Sequence, residues 1–296
     1  MSATRAAADD AIEADRLGRP VQGPTALGSD LRRFWHLTST LAVTDFKLRF
    51  FGSVLGYLWS VMRPLMLFGV LYVVFTQFVK VGSDAPYYAE GLLLGIVLYS
   101  YLAEATKGSV NSLVLREPLV RKVDFPRLAV PLAVVLTATF NVLLNLLPVL
   151  AFLLIDGAPV RASWLELPLL LLALGALATG IGMLLAPLYV RFRDVDPIWD
   201  VVLQVLFYGS PIFYTIETVR QSLRGHEWAV TALMCNPFAA ILQEARHALL
   251  GPGHMTAAAA IGGSARLLIP LAIAVAVFAL GCAVFRRAAP RIAELL

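Results

Sequence analysis

Charge is scarce in this chain of 296 residues: Asp, Glu, Lys and Arg together supply 15% of it, against 59% hydrophobic residues. Soluble globular domains carry roughly a quarter charged residues, so a soluble fold is excluded and a polytopic membrane protein is expected. Cysteine is nearly absent. Cys235 and Cys282 lie far apart without metal-ligand spacing, which argues against a disulfide or a metal site and for small apolar packing residues. The four histidines do not cluster either, and no catalytic constellation stands out. No GxxxxGK[ST] stretch occurs, so this chain does not bind ATP through a P-loop. Residues 1–30 hold Ala, Asp, Gly and Pro with alternating charge and no apolar h-region, which excludes a signal peptide there and predicts a disordered cytoplasmic tail. The little charge present is basic, with a net +4 and a pI near 9.2. In so apolar a chain, that excess reports orientation and anionic lipid ahead of nucleic acid.

What is present is a charged island, residues 107–131, set between long apolar runs. Lys107, Arg116, Arg121, Lys122 and Arg127 stand there with Glu117 and Asp124, broken up by Pro118, Pro126 and Pro131. Each Arg or Lys near a bilayer centre costs about 2.5 to 3.5 kcal/mol on insertion scales, so the island belongs in water or at the interface. Around it, apolar runs predict six spans and an all-α fold. The first runs from Val54 to Val79, interrupted by Arg63; the second covers Gly91–Thr106, with Glu104 near its end. The third, Leu128–Ile155, is twenty-eight uncharged residues long, enough to cross with tilt. Leu167–Val190 and Leu267–Phe285 are the fourth and sixth. The fifth, Val201–Ile216, contains Gly209 and Pro211 and reads as a full or partly re-entrant span. With this topology, eighteen of the 24 Lys and Arg residues fall on the side of the termini. Both termini, and the island, are then expected in the cytoplasm.

Ahead of the spans, Asp30 is a plausible cap for a helix over residues 31–50. Leu31, Phe34, Trp35, Leu41, Ala42 and Phe46 share one face, and Arg32, Arg33, His36 and Lys47 the other, which predicts an amphipathic helix lying in the interface. Within the spans, Thr137, Asn141 and Asn145 recur every four residues as a polar stripe, either gluing helices together or lining a substrate path. Phe68, Tyr72 and Phe75 share a face of the first span, while Trp199, Phe207, Tyr208, Phe213 and Tyr214 crowd the fifth. These rings either pack the core or offer faces to the C–H surfaces of sugars along a glycan path. Glu90 with Glu104, and Glu217 with Glu227, are expected as solvated loop acids ahead of a carboxylate site. Asn236 as cap and Pro237 as first helical residue start a short helix, half-inserted on the outer side, with Phe238, Ile241, Leu242 and Ala245 on one face.

Four ordered blocks carry a resemblance: SVLGYLWSVMRPL at residues 53–65, REPLVRKVDFPRLAVPL at 116–132, FRDVDPIWDVVLQVLFYGSPIFY at 192–214, and the Asn236-Pro237 pair. From about residue 30 onward the chain resembles the membrane subunit of bacterial polysaccharide exporters, within the type 2 permease family of ATP-binding cassette transporters. That family includes O-antigen, teichoic acid and cell-wall galactan exporters. The resemblance implies a homodimer in the cytoplasmic (inner) membrane that recruits two copies of a separate ATPase, with ATP and Mg held by that partner and no cofactor in this chain. It implies that residues 51–296 form the six-span domain, with a coupling helix at about 111–126 seated in the ATPase. Arg116, Glu117, Arg121 and Lys122 would supply charged contacts there, and Leu119, Val120 and Phe125 an apolar knob. By the same carry-over, residues 31–50 become an interfacial helix near the cytoplasmic entrance, the segment after Ile216 becomes short re-entrant helices on the outer side, and the aromatics of spans one and five line the glycan path. Two other readings stand beside lipid-linked polysaccharide export: a drug or small-lipid permease of the same fold, and a membrane-embedded transferase acting on lipid-linked sugars.

Overall fold

A computed structural model describes residues 31–50, 56–79, 86–121, 125–222 and 227–295. The expected tail at 1–30 and the island residue Lys122 lie outside these. Every regular element among the described residues is helical. Helix α1 is Leu31–Phe50, and α2 is Gly56–Val73, continued by a π-helical turn Val74–Val79. After α3, Tyr88–Val110, come two single turns, α4 Ser112–Leu115 and α5 Glu117–Val120. The long helices α6, Ala129–Ile155, and α7, Leu167–Arg191, precede α8, Val195–Gly209. Three short helices, α9 Ile216–Ser222, α10 Glu227–Met234 and α11 Pro237–Leu250, lead to α12, Ala257–Ile261. The chain finishes with α13, Leu268–Ala288, and α14, Ile292–Leu295.

Four segments are long and apolar enough to cross a bilayer: Leu58–Val79, Ala129–Ile155, Ala162–Arg191 and Ser264–Arg291. They match the first, third, fourth and sixth expected spans. The second and fifth differ for separate physical reasons. Helix α3 carries Glu90, Glu104 and Lys107, yet it is the centre of the bundle, with Leu92, Leu93, Leu94, Ile96, Val97 and Leu98 all essentially buried. A helix enclosed on every side by protein tolerates charges that a lipid-facing one does not. Helix α8 begins at Val195, taking in residues expected as a charged connection, because Asp196 in its first turn complements the helix dipole. Its fifteen residues span about 22 Å, short of a hydrocarbon core of roughly 30 Å.

Small residues set the helix spacing. A Cβ on Gly180 of α7 would lie 2.7 Å from Phe278 Cα of α13, and Gly281 of α13 faces the Gly180 carbonyl in return. On the same helix, Gly175 meets the Tyr101 hydroxyl of α3 and Gly182 the Ser109 side chain, so α7 approaches α13 almost backbone to backbone and leaves room for side chains of α3. By contrast only 6% of the Leu58–Val79 window and 11% of the Ser264–Arg291 window is buried, against 39% for Ala162–Arg191. Helices α2 and α13 therefore present long apolar surface to whatever surrounds the chain.

Candidate functional site

The island folds at the end of the bundle where α3 stops and α6 starts. Asn111 and Arg116 interrupt the helix, so α4 and α5 are single turns joined at an angle. Leu113 and Val120 are fully buried in a second apolar core with Val130, Met183, Val190 and Phe285, and Phe125 packs against it. Val120 and Phe125 therefore face inward, and do not form part of an outward knob. The reason is the amphipathic demand of a two-turn segment lying on the ends of α7 and α13. What faces outward is Leu115, 73% exposed, with Pro118 and Arg121, while Leu119 is half-buried. Arg121 forms an i,i+4 pair with Glu117 at 2.9 Å. Arg116 pairs with Asp45 of α1, which locks α1 onto the island.

Helix α1 buries a row of Phe34, Thr38 and Ala42, with Thr137 of α6 donating to the Ala42 carbonyl at 3.2 Å and Phe46 meeting Phe140 edge to face at 5.5 Å. Trp35, expected beside Phe34 on the apolar face, is 56% exposed; Arg32, Arg33 and Lys47 are exposed too. Arg32, Arg33 and Lys47 thus share the outward face of α1, and Leu31, Trp35 and Leu48 are exposed as well.

The polar stripe of α6 is organised by Glu104. Asn141 donates to its Oε1 at 2.6 Å, Arg49 at the end of α1 pairs with it, and Asn145 donates to the Asn141 carbonyl at 2.9 Å. Glu104 and Glu90 are not loop acids: both sit on α3, and Glu90 is 2% exposed. Fourteen residues apart on one helix, they stand about 21 Å from each other, too far for a two-carboxylate site. Glu104, Asn141 and Asn145 line a cleft of about 990 Å³ that also touches Arg49, Trp59, Arg63 and Tyr99.

Tyr99 joins this cleft to an aromatic seam. Its ring meets Phe207 at 4.8 Å and its hydroxyl donates to the Leu203 carbonyl of α8 at 2.7 Å. Phe207, Tyr208, Phe213 and Tyr214 follow in contact, and Phe213 stacks on Phe75 of the π-helical turn at 4.8 Å. Phe68 lies against Tyr72 and Phe152. Of these rings Tyr208 is 60% exposed. The structure thus joins Phe75 of the first aromatic set to the second set, and leaves Phe68 and Tyr72 in a separate contact.

Two polar clusters fasten α8. At its start, Lys107 reaches Asp196 at 2.9 Å and Asp200 at 2.6 Å, and Trp199 donates to Thr106 at 3.0 Å. At its other end the chain is extended at Ser210 and irregular to Thr215, leaving carbonyls without helical partners. Arg246 of α11 takes them: it donates to Ile212 O at 2.6 Å and to Tyr214 O and Gly91 O at 3.3 Å each. Burial pulls its pKa down to about 10. The Tyr88 hydroxyl adds a bond to Phe213 O at 2.8 Å. Arg246 is the clamping residue that sequence reasoning passes over. Its signal was an arginine on the apolar row of α11, beside Leu242, Ala245 and Leu249. The predicted start of α11 is present, with Asn236 accepting from Phe238 N at 3.0 Å.

Comparison with known proteins gives two findings. The family model for the ABC-2 type transporter matches residues 36–250. Two proteins of Klebsiella pneumoniae named O-antigen export system permease protein RfbA are each 27% identical over 199 residues, 67% of this chain and 74% of theirs. One of the same name from Myxococcus xanthus is 25% identical over 191 residues, 64% and 73% of the two chains.

Proposed function

The chain belongs to the ABC-2 type transporter family, and from that premise we propose that it is the membrane subunit of an ATP-driven exporter moving lipid-linked polysaccharide across the cytoplasmic membrane. The observation that carries the substrate is the similarity over two thirds of the chain to proteins named as O-antigen export permeases. The aromatic seam supports it, because ring faces bind sugar C–H surfaces without fixing sugar identity.

In this reading α2, α3, α6, α7, α8 and α13 are six crossings with both termini in the cytoplasm, and α9 to α12 are short helices on the outer side, in part re-entrant. The apolar outward faces of α2, with Leu58, Met66 and Val70, and of α8, with Ile198, Val201 and Val205, suit a second copy of the chain. Phe75, Phe207, Tyr208 and Tyr214 then face a path between the copies, with Phe68 and Tyr72 at its margin. The island meets a separate ATPase through Leu115, Leu119, Glu117 and Arg121, while Arg116 transmits the contact to α1. ATP and Mg belong to that partner. The shortness of α8 is met by the buried irregular stretch 210–215 that continues it, since irregular backbone at depth is tolerated where protein surrounds it.

The test is co-purification in detergent with an ATP-binding cassette subunit from the same cells, followed by reconstitution. Stimulation of the partner's ATPase, with restoration of surface polysaccharide in cells lacking the chain, is the expected result. A chain that purifies alone and leaves surface polysaccharide unchanged when removed would overturn the reading.

A further inference from the structure

Arg63 stands within the first apolar segment, immediately before Pro64, and forms no ion pair among the described residues. Its charge in such a position costs about 2.5 to 3.5 kcal/mol unless a partner or water answers it. The side chain lines the cleft of about 990 Å³ between α2, α3 and α6. The cleft's carboxylate, Glu104, is taken by Arg49 and Asn141, so Arg63 sets the net charge of the cavity at one positive. Two further features specify what enters. Trp59, 53% exposed, stands on the same wall one turn away, and buried Asn141 Oδ1 and Asn145 Oδ1 lack hydrogen-bond partners. An unsatisfied buried acceptor is costly, and a donor such as a sugar hydroxyl relieves it.

A cation, an aromatic face and free acceptors together match one chemistry. A guanidinium fork fits phosphate oxygens, an indole fits a pyranose face, and amide oxygens accept hydroxyl protons. The volume is at the upper end of small-ligand sites, enough for a sugar with its phosphate. We propose that this cleft binds the phosphate-bearing sugar end of the exported lipid, with Arg63 on the phosphate, Trp59 under the first sugar, and Tyr99 leading that sugar into the aromatic seam. The proposal rests on the polysaccharide-export reading and adds to it a defined head-group site.

The experiment uses the chain with its ATPase partner in nanodiscs of phosphatidylcholine and a fluorescent polyprenyl-pyrophosphoryl N-acetylglucosamine as probe, read by anisotropy. Saturable binding is expected in the wild type. Arg63→Gln should weaken it at least about tenfold, the equivalent of one hydrogen bond to a charged group, and Arg63→Lys should retain part of it. N-acetylglucosamine 1-phosphate should compete, because the head group is what is recognised. Unfolding midpoints of both variants serve as the folding control. Equal binding by a folded Arg63→Gln variant overturns the site. So does complete displacement by phosphatidylglycerol, which would make the cleft a general anionic-lipid site. Restoration of surface polysaccharide by the wild-type chain is scored separately. If the wild type restores export and Arg63→Gln binds normally, the head-group site fails and the export reading stands; if the wild type restores nothing, the export reading itself fails.

Discussion

Replacing Gly180 with Ala adds one methyl group at the crossing of α7 and α13. The new Cβ would sit 2.7 Å from Phe278 Cα and 3.0 Å from Phe278 N, where carbon atoms prefer about 3.5 to 4.0 Å. Both neighbours are backbone, so no side chain can swing aside, and the helices must separate by about 1 Å. Overpacking of this kind costs about 1 to 3 kcal/mol. Against it stands the gain in helix propensity of Ala over Gly, at most about 1 kcal/mol. Gly69 of α2 provides the control, since nothing lies within 4 Å of a Cβ built there. Gly69→Ala carries the same propensity gain with no clash, so the difference between the two variants isolates the crossing. Unfolding of the purified chain in mixed micelles of increasing SDS content should place Gly180→Ala about 1 to 3 kcal/mol below Gly69→Ala. Equal stability of the two would show that α7 and α13 are not held at backbone distance, and the account of their packing would fall.

At the island, Leu115→Asp or Arg121→Glu should abolish stimulation of the partner ATPase while leaving the unfolding midpoint unchanged; unaltered stimulation refutes the docking surface. Val120→Ala, in the buried core beneath, should instead lower stability by about 1 to 3 kcal/mol, measurable in the same SDS titration. Arg246→Met should raise hydrogen exchange over residues 210–215, because Ile212 O and Tyr214 O lose their donor at about 1 to 3 kcal/mol each; unchanged protection there would refute the clamp. His254, 3% exposed, donates from Nε2 to Pro86 O at 3.0 Å with Arg246 close by, and burial first, then that cation, hold its pKa below the ordinary histidine value. Its neutral form is the folded form, so its contribution is intact above about pH 6.5 and is lost as pH falls below it. The stability lost between about pH 7.5 and 5.5 should shrink in His254→Gln, and an identical slope in the two proteins would count against this.

Features written locally were legible in the sequence. The island showed itself by prolines and charge within 25 residues, the start of α11 by Asn236-Pro237, and the break after α8 by Gly209 and Pro211, each by residue types that dictate their own backbone. Features decided by pairing across the chain were not. Asp45 and Arg116 are 71 positions apart, and Gly91 and Arg246 are 155 apart; no periodicity announces either contact. The buried side of α1 was legible in part: Phe34 and Ala42 lie on it as expected, but Thr38 did not show, because a threonine leaves no apolar mark in the pattern yet satisfies its hydroxyl on Phe34 O at 2.8 Å. Glu104 looked like a loop acid because its partners, Arg49 and Asn141, come from two other helices.

The clamp at the end of α8 also dictates an order of synthesis. When the ribosome has made residues 210–215, the side chain that will hold their carbonyls does not yet exist. Arg246 follows Tyr214 by 32 positions, about 2 to 6 seconds at ordinary rates of chain elongation. For that interval the carbonyls of Ile212 and Tyr214 lack their guanidinium donor, and the Tyr88 hydroxyl, already made, reaches the neighbouring Phe213 O alone. Completion of the stretch after α8 is therefore delayed until Arg246 has been made, and a chain ending between residues 216 and 246 would lack the clamp.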